Sequence, residues 1–256
     1  MNSLALLLEY EGTNYVGWQN QPNGQSVQQM IENAIVDTFG VDQQIVGSGR
    51  TDSGVHARGQ VAHVHLPEGS HRIPMDKVHV ALNTHLPRDI RVRAACGVTE
   101  EFHARFDAVS REYIYVITKQ ASVFSRTFAW TPELPFDAAR FAEATHVFEG
   151  LHDFTAISKH NPSTGSYMCN VESCRVEEHA DRFLVRIRAD RFVYGMCRAI
   201  IGTAMTVARG KIEYSDAETL LASGVRSGQA PLAPPQGLVL NHVRYRNGIF
   251  DDENYF

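Results

Sequence analysis

Gly47-Ser-Gly-Arg-Thr-Asp-Ser-Gly-Val-His-Ala-Arg-Gly59 is the stretch on which the fold of the first hundred residues turns. Before it, Gln43–Gly47 reads as a short strand. After it, Gln60–Leu66 alternates as a half-buried strand does, with Val61 and His63 opposite Ala62 and Val64. Four glycines in thirteen residues imply positive φ or close backbone approach. A dinucleotide fingerprint needs Gly-x-Gly-x-x-Gly, yet after Gly47 and Gly49 the third position is Asp52, which would repel a pyrophosphate. A phosphate-binding P-loop needs Gly-Lys-Ser/Thr, and Gly49 is followed by Arg50-Thr51. The stretch is therefore a strand-to-strand loop, not a strand-to-helix turn.

Working outward from that loop gives the element order. Ser3–Tyr10 is an apolar strand. Ser26–Phe39 is a helix, capped by Ser26, with Val27, Met30, Ile31, Ala34 and Ile35 as its stripe and Gly40 as its stop. Met75–His85 is a second helix, and Ile90–Val98 a closing strand. The sequence β-α-β-β-α-β is that of a ferredoxin-like unit. The remainder repeats it with insertions. Strands are expected at Glu112–Thr118, Met168–Val176, Phe183–Ala189 and Leu238–Tyr245, with helices at Asp137–Glu149 and Phe192–Ala208. A short helix from Ser215 is expected to be capped through Glu218. No tandem repeat of short period accompanies this architectural repetition. The expected fold is α+β: two ferredoxin-like halves, 1–103 and 104–256, forming a mixed, mainly antiparallel sheet with a central cleft.

Composition narrows the function classes. The 256 residues are 43% hydrophobic and 21% charged, ordinary for a globular chain. No run of about 18 apolar residues suggests a membrane span. Glu9 and Glu11 stand where a cleavage site would follow a signal peptide, so a cytoplasmic location is expected. Cys96, Cys169, Cys174 and Cys197 make no C-x-x-C pair, which argues against structural zinc and a disulfide framework. Net charge is −5, but the cations are nearly all arginine; the lysines are Lys77, Lys119, Lys159 and Lys211. Arginine's planar fork suits phosphate. Two clusters stand out, Arg88, Arg91 and Arg93, then Arg182, Arg186, Arg188 and Arg191. Each taken alone reads equally as a solvated strand face.

Asp52 is the candidate for chemistry. It lies between Arg50 and Arg58, and cationic neighbours favour the ionised form of a partly desolvated carboxylate. A positioned carboxylate can attack an electrophilic sugar carbon. Local chemistry leaves a structural Asp–Arg pair equally open.

The longer pattern Gly49-Arg-Thr-Asp-Ser-Gly-Val-His-Ala57 resembles the signature of the TruA family of tRNA pseudouridine synthases, which usually reads Gly-Arg-Thr-Asp-Ala-Gly-Val-His-Ala. Other segments resemble that family in the same order: Tyr10–Gln19, Ser110–Tyr115, Gly150–Phe154, Phe192–Gly202 and Ala233–Leu240. Two positions and one stretch depart from it. Ser53 stands for alanine, Cys197 for valine before Arg198, and Ser158–Met168 carries few of the usual basic residues.

The resemblance implies a pseudouridine synthase fold and isomerisation of uridine in the anticodon stem-loop of tRNA, at positions 38, 39 and 40. It implies a homodimer, with no cofactor and no metal. Asp52 would be the nucleophile or ribose-proton acceptor. Arg50 would fill the space left by the flipped nucleotide or hold its phosphate. Tyr113 would stack on the extruded uracil. Arg198 would pair with the catalytic aspartate, as a cation on an apolar helix calls for a carboxylate, and Leu238 would pack on the base. Arg58, Arg186 and Arg188 are the candidate RNA phosphate contacts, making binding salt-sensitive.

Two readings from other classes compete. A non-catalytic RNA-binding protein would keep the arginines and aromatics but have no use for Asp52. A metal-dependent hydrolase would recruit His63 and His65, from one strand face, with His56, His152 and Asp153.

Overall fold

The computed structural model describes residues 3–70, 72–226 and 230–251. Met1 and Asn2, the start of the N-terminal stretch read against a signal peptide, lie outside the described residues. The chain divides into two compact units, Met1–Val109 with Leu240–Phe256, and Ser110–Val239. The architecture is α+β in both.

In the first unit, β1 (Ser3–Tyr10) lies between β3 (His56–His65) and β4 (Ile90–Val98), antiparallel to each. The two-residue β2 (Val46–Gly47) pairs antiparallel with β3 through Val46–His63 and Gly47–Ala62. β9 (Leu238–Tyr245), whose residues from Leu240 onward belong to this unit, joins the sheet beside β3. The order β4-β1-β3 with β2 on β3 is that of a ferredoxin-like sheet, connected by α1 (Val27–Phe39) and α2 (Met75–Asn83). Leu4, Ala5, Leu6, Leu7 and Leu8 are all buried, because β1 is central and covered on both faces.

In the second unit the strand order is β5-β8-β7-β6, with β5 Ala108–Thr118, β6 Gly150–Asp153, β7 Met168–Glu178 and β8 Arg182–Ala189. Their ladders are antiparallel. The helices α3 (Ala138–His146) and α4 (Met196–Ala208) pack on each other, and α3 lies on β7. Period-two alternation sends Tyr113, Tyr115, Val185 and Ile187 into the core. Glu112, Arg186 and Arg188 take the other face. The fifth helix, α5, is Tyr214–Ala222.

Several local expectations need correction. The buried stripe of α1 contains Gln28, while Met30 is half-exposed; Gln28 is retained inside because its amide bonds Ile45 O and Glu32. The strand before the loop shrinks from 43–47 to Val46–Gly47, and β3 starts at His56 rather than 60. The helix expected from Phe192 begins at Met196, after Gly195 in the left-handed region at φ 77°. α5 starts at Tyr214: Asp216, not Glu218, reaches back to accept from the Glu213 N–H at 2.9 Å. The strand β6, which pairs with β7, is too short for a periodicity reading to find.

Candidate active site

The loop between β2 and β3 rests on buried polar side chains. Ser48 N–H donates to Val61 O at 2.7 Å, and its hydroxyl donates to Gln60 Oε1 at 2.6 Å. The other end of the Gln60 amide donates to Gly49 O at 2.9 Å. The Tyr10 and Thr51 hydroxyls share a buried hydrogen bond of 2.8 Å. Burial pushes the Tyr10 phenol well above the ordinary tyrosine range, so it remains a neutral partner. Beyond Thr51 the chain turns through Val55 N–H to Asp52 O at 3.1 Å, with Gly54 at φ 77°. Asp52 is half-buried on this turn, whereas Arg50 and Arg58 are exposed.

A second loop, Glu11–Gln25, clamps the first from the side. Trp18 N–H donates to Thr51 O at 3.1 Å, and Gly12 N–H donates to His56 Nδ1 at 3.0 Å. Ser53, the residue that departs from the family pattern, donates its hydroxyl to Tyr15 O at 3.1 Å. Contact is close enough to require glycine at two points. A Cβ on Gly12 would lie 2.0 Å from Val55 O. One on Gly17, at φ 108°, would lie 2.7 Å from Thr51 O. Tyr15 anchors the clamp by donating to Asp89 Oδ1 at 2.7 Å; burial first, then that carboxylate, raise its pKa. Apart from His56, weighed as a metal ligand, and Ser53, noted as a departure from the family pattern, the sequence alone assigns these supporting residues no role. The signal was present: Tyr10-Glu-Gly-Thr-Asn-Tyr-Val-Gly-Trp18 puts two glycines beside three aromatics.

The structure places Arg50, Asp52 and Arg58 in the first unit, and Tyr113, Arg186, Arg188, Arg198 and Leu238 in the second. Tyr113 is buried in β5, its ring edge-on to Phe192 at 5.0 Å. Arg198 is half-buried on the first turn of α4 and donates through Nε to Ala233 O at 2.7 Å, while Ala233 N–H returns a bond to Arg198 O at 3.0 Å. A strap, residues 231–237, is thereby sewn to α4. Gly202 lets it approach, since a Cβ there would lie 1.8 Å from Pro231 O. Tyr115 holds the strap's other end by donating to Pro234 O at 2.8 Å, and Gly237 lies under its ring. Burial raises the Tyr115 pKa, opposed in part by Arg198. The strap delivers Leu238, which is buried, to the start of β9.

The arginines of β8 are engaged with acidic neighbours. Arg186 donates to Glu177 Oε1 at 2.8 Å and lies 3.5 Å from Glu112; Arg188 donates to Glu112 Oε2 at 2.8 Å. The histidines have local duties. His152 bonds Glu149 O and His56 accepts from Gly12. His63 accepts from Ala104 N–H at 3.1 Å. Among the described residues no three His, Cys, Asp or Glu are grouped to hold a metal ion.

Comparison with known proteins fits this arrangement. The family model described as tRNA pseudouridine synthase matches residues 7–107 and 144–246, which include the Asp52 loop, α4 and the strap. The tRNA pseudouridine synthase A of Akkermansia muciniphila is 37% identical over 262 residues, covering 99% of this chain and 98% of the relative. Those of Bacteroides fragilis and Geobacter sp. are each 37% identical, covering 96% of this chain and 97% and 99% of theirs. On these matches across nearly its whole length, the chain belongs to the tRNA pseudouridine synthase family.

Proposed function

We propose that this protein isomerises uridine to pseudouridine in the anticodon stem-loop of tRNA, at positions 38, 39 and 40, with Asp52 as the group that acts on the ribose. One observation carries the reading: a half-buried aspartate on a loop whose floor and flank are fixed by buried hydrogen bonds, in a chain of this family. A carboxylate so held loses little freedom when it meets a reacting carbon.

The chemistry is an isomerisation. The C1′–N1 bond breaks, the uracil turns, C5 bonds to C1′, the C5 proton leaves to solvent, and N1 takes up a proton in its place. Atoms and electrons balance within the nucleotide, so no cofactor is called for. The Asp52 carboxylate either bonds C1′ during the turn or takes a ribose proton. The base must first leave its stack. Tyr113 then stacks on it and Leu238 packs against it. Arg198 orients the acidic group, and Arg50 holds the flipped nucleotide's phosphate. Divided as the sequence divides, 1–103 supplies the nucleophile and 104–256 the base contacts. Arg58 meets the tRNA backbone directly. Arg186 and Arg188 do so by exchanging Glu112 and Glu177 for phosphate oxygens, which like carboxylates can be held by a guanidinium in bidentate fashion. The working enzyme is a cytoplasmic homodimer in this reading; among the described residues no helix is long and apolar enough to cross a membrane.

The test is release of tritium from tRNA labelled at uridine C5, with purified protein and no additive. Release is expected. A rate equal to that of a protein-free control contradicts the proposal.

A further inference from the structure

The second unit contains a depression of about 430 Å³, lined in part by Arg126, Trp130, Glu133, Arg209, Pro234 and Gln236. That volume falls in the range that holds small ligands. None of these residues has a role in the reaction described above.

We propose that this depression holds one unpaired nucleotide of the RNA substrate, outside the target uridine, with its phosphate on Arg126 and Arg209 and its base against Trp130. The identity of the ligand as RNA rests on the proposed function; the site's chemistry stands on its own residues. Two guanidinia against one carboxylate, Glu133, leave a net positive lining. Arg209 caps the C-terminal end of α4, where a cation is favoured by the helix dipole. Its Nε is buried and meets no acceptor among the described residues, and its Nη2 reaches only Leu134 O, at a long 3.4 Å. The half-exposed side chain holds its Nη2 by that one long bond, which leaves guanidinium capacity for a phosphate oxygen, a charge-assisted partner.

Trp130 is a fixed platform. Its N–H donates to Val116 O at 3.0 Å and its carbonyl accepts from Thr118 N–H at 2.9 Å, forming a bridge beside β5. The half-exposed indole stands edge-on to Tyr115 at 6.2 Å. A pinned aromatic suits an unstacked base of any sequence. The depression is also tied to the base-contacting side of the unit: Pro234 and Gln236 line it, Tyr115 bonds Pro234, and Leu238 follows two residues after Gln236. A nucleotide seated there would steady the strap that carries Leu238.

Arg126→Ala and Arg209→Gln test this, separately and together, by filter binding of unmodified tRNA across a salt series. Arg126 is exposed, so its removal leaves folding intact even if Arg209→Gln lowers the melting temperature. The double variant should bind about tenfold more weakly, and the slope of log K against log salt should fall by about one or two. In tritium release, KM should rise with kcat changed less than about twofold. Unchanged affinity and salt slope in Arg126→Ala and in the double variant overturn the proposal, as does a fall in kcat at unchanged affinity. Binding needs no turnover, so the two claims separate. Weakened binding in protein that releases no tritium sinks the proposed function and leaves this site standing. Full release with unaltered binding does the reverse.

Discussion

The Tyr10 and Thr51 hydroxyls meet at 2.8 Å in the buried floor of the loop, one residue before Asp52. The pair links the end of β1 to the turn that holds the carboxylate, so the sheet's rigidity is passed to the reacting group. Removing either partner takes a hydrogen bond from a buried hydroxyl, though Tyr10 also has Gln60 beside it. Tyr10→Phe or Thr51→Val should each cost about 1–3 kcal/mol in urea unfolding. The double variant should cost less than the sum, because both polar groups leave together. Strict additivity would show that the two hydroxyls do not interact.

The clamp makes a sharper demand. Gly17→Ala forces a Cβ to 2.7 Å from Thr51 O at a φ that side chains rarely adopt, and Gly12→Ala forces one to 2.0 Å from Val55 O. Each should destabilise by about 1–3 kcal/mol or more and lower kcat in tritium release by displacing Asp52. Gly40→Ala is the control. Its added Cβ meets nothing within 4 Å, so only the strain of φ 69° remains and kcat should be unchanged. Equal kcat loss at all three positions would contradict a clamp specific to the loop.

Acid should loosen the first unit through His63. Burial, then the neighbouring His65 and His103, lower its pKa from 6.5 to about 4, against a smaller opposing effect of Asp107. The folded state binds this proton less readily than the unfolded chain. Stability is therefore full above about pH 6.5 and falls as pH drops toward 4. Protonation at Nδ1 would also end the bond accepted from Ala104 N–H. His63→Asn, which can keep an acceptor there, should flatten that part of the stability–pH curve. A curve of the same shape in the variant would show that another group is responsible.

The strap invites a parallel experiment in the second unit. Gly202→Ala would drive a Cβ to 1.8 Å from Pro231 O and part the strap from α4, breaking the paired bonds between Arg198 and Ala233. Turnover should fall at least about tenfold, a loss of 1.4 kcal/mol in transition-state stabilisation. Near-normal turnover would show that Arg198 and Leu238 do not need the strap for their positions.

Much of this was legible in sequence where a local rule has one solution. Ser26 and Gly40 bracket α1 as cap and stop, and the closing strand expected at Leu238–Tyr245 is β9 over the same residues. The rest depended on distant partners. Phe192–Gly195 is apolar enough to read as helix, but Gly195 takes a left-handed φ, so α4 begins after it. Gln28 is polar by composition and buried because Ile45 and Glu32 lie beside it. The Asp52 motif was visible as a string of residues, yet its support by Tyr10, Gln60 and Gly17 is a matter of tertiary approach that no spacing encodes. Arg186 and Arg188 read as a cationic stripe; only strand register shows that Glu112 and Glu177 lie against them.

Replacing one oxygen of the loop carboxylate by an amide is the decisive step. Asp52→Asn preserves shape and removes the charge. It should abolish tritium release from uridine-labelled tRNA while tRNA affinity stays within about tenfold of the parent, since phosphate contacts dominate binding. Release at the parent rate from the asparagine protein would contradict the assignment of Asp52 as the group that acts on the ribose.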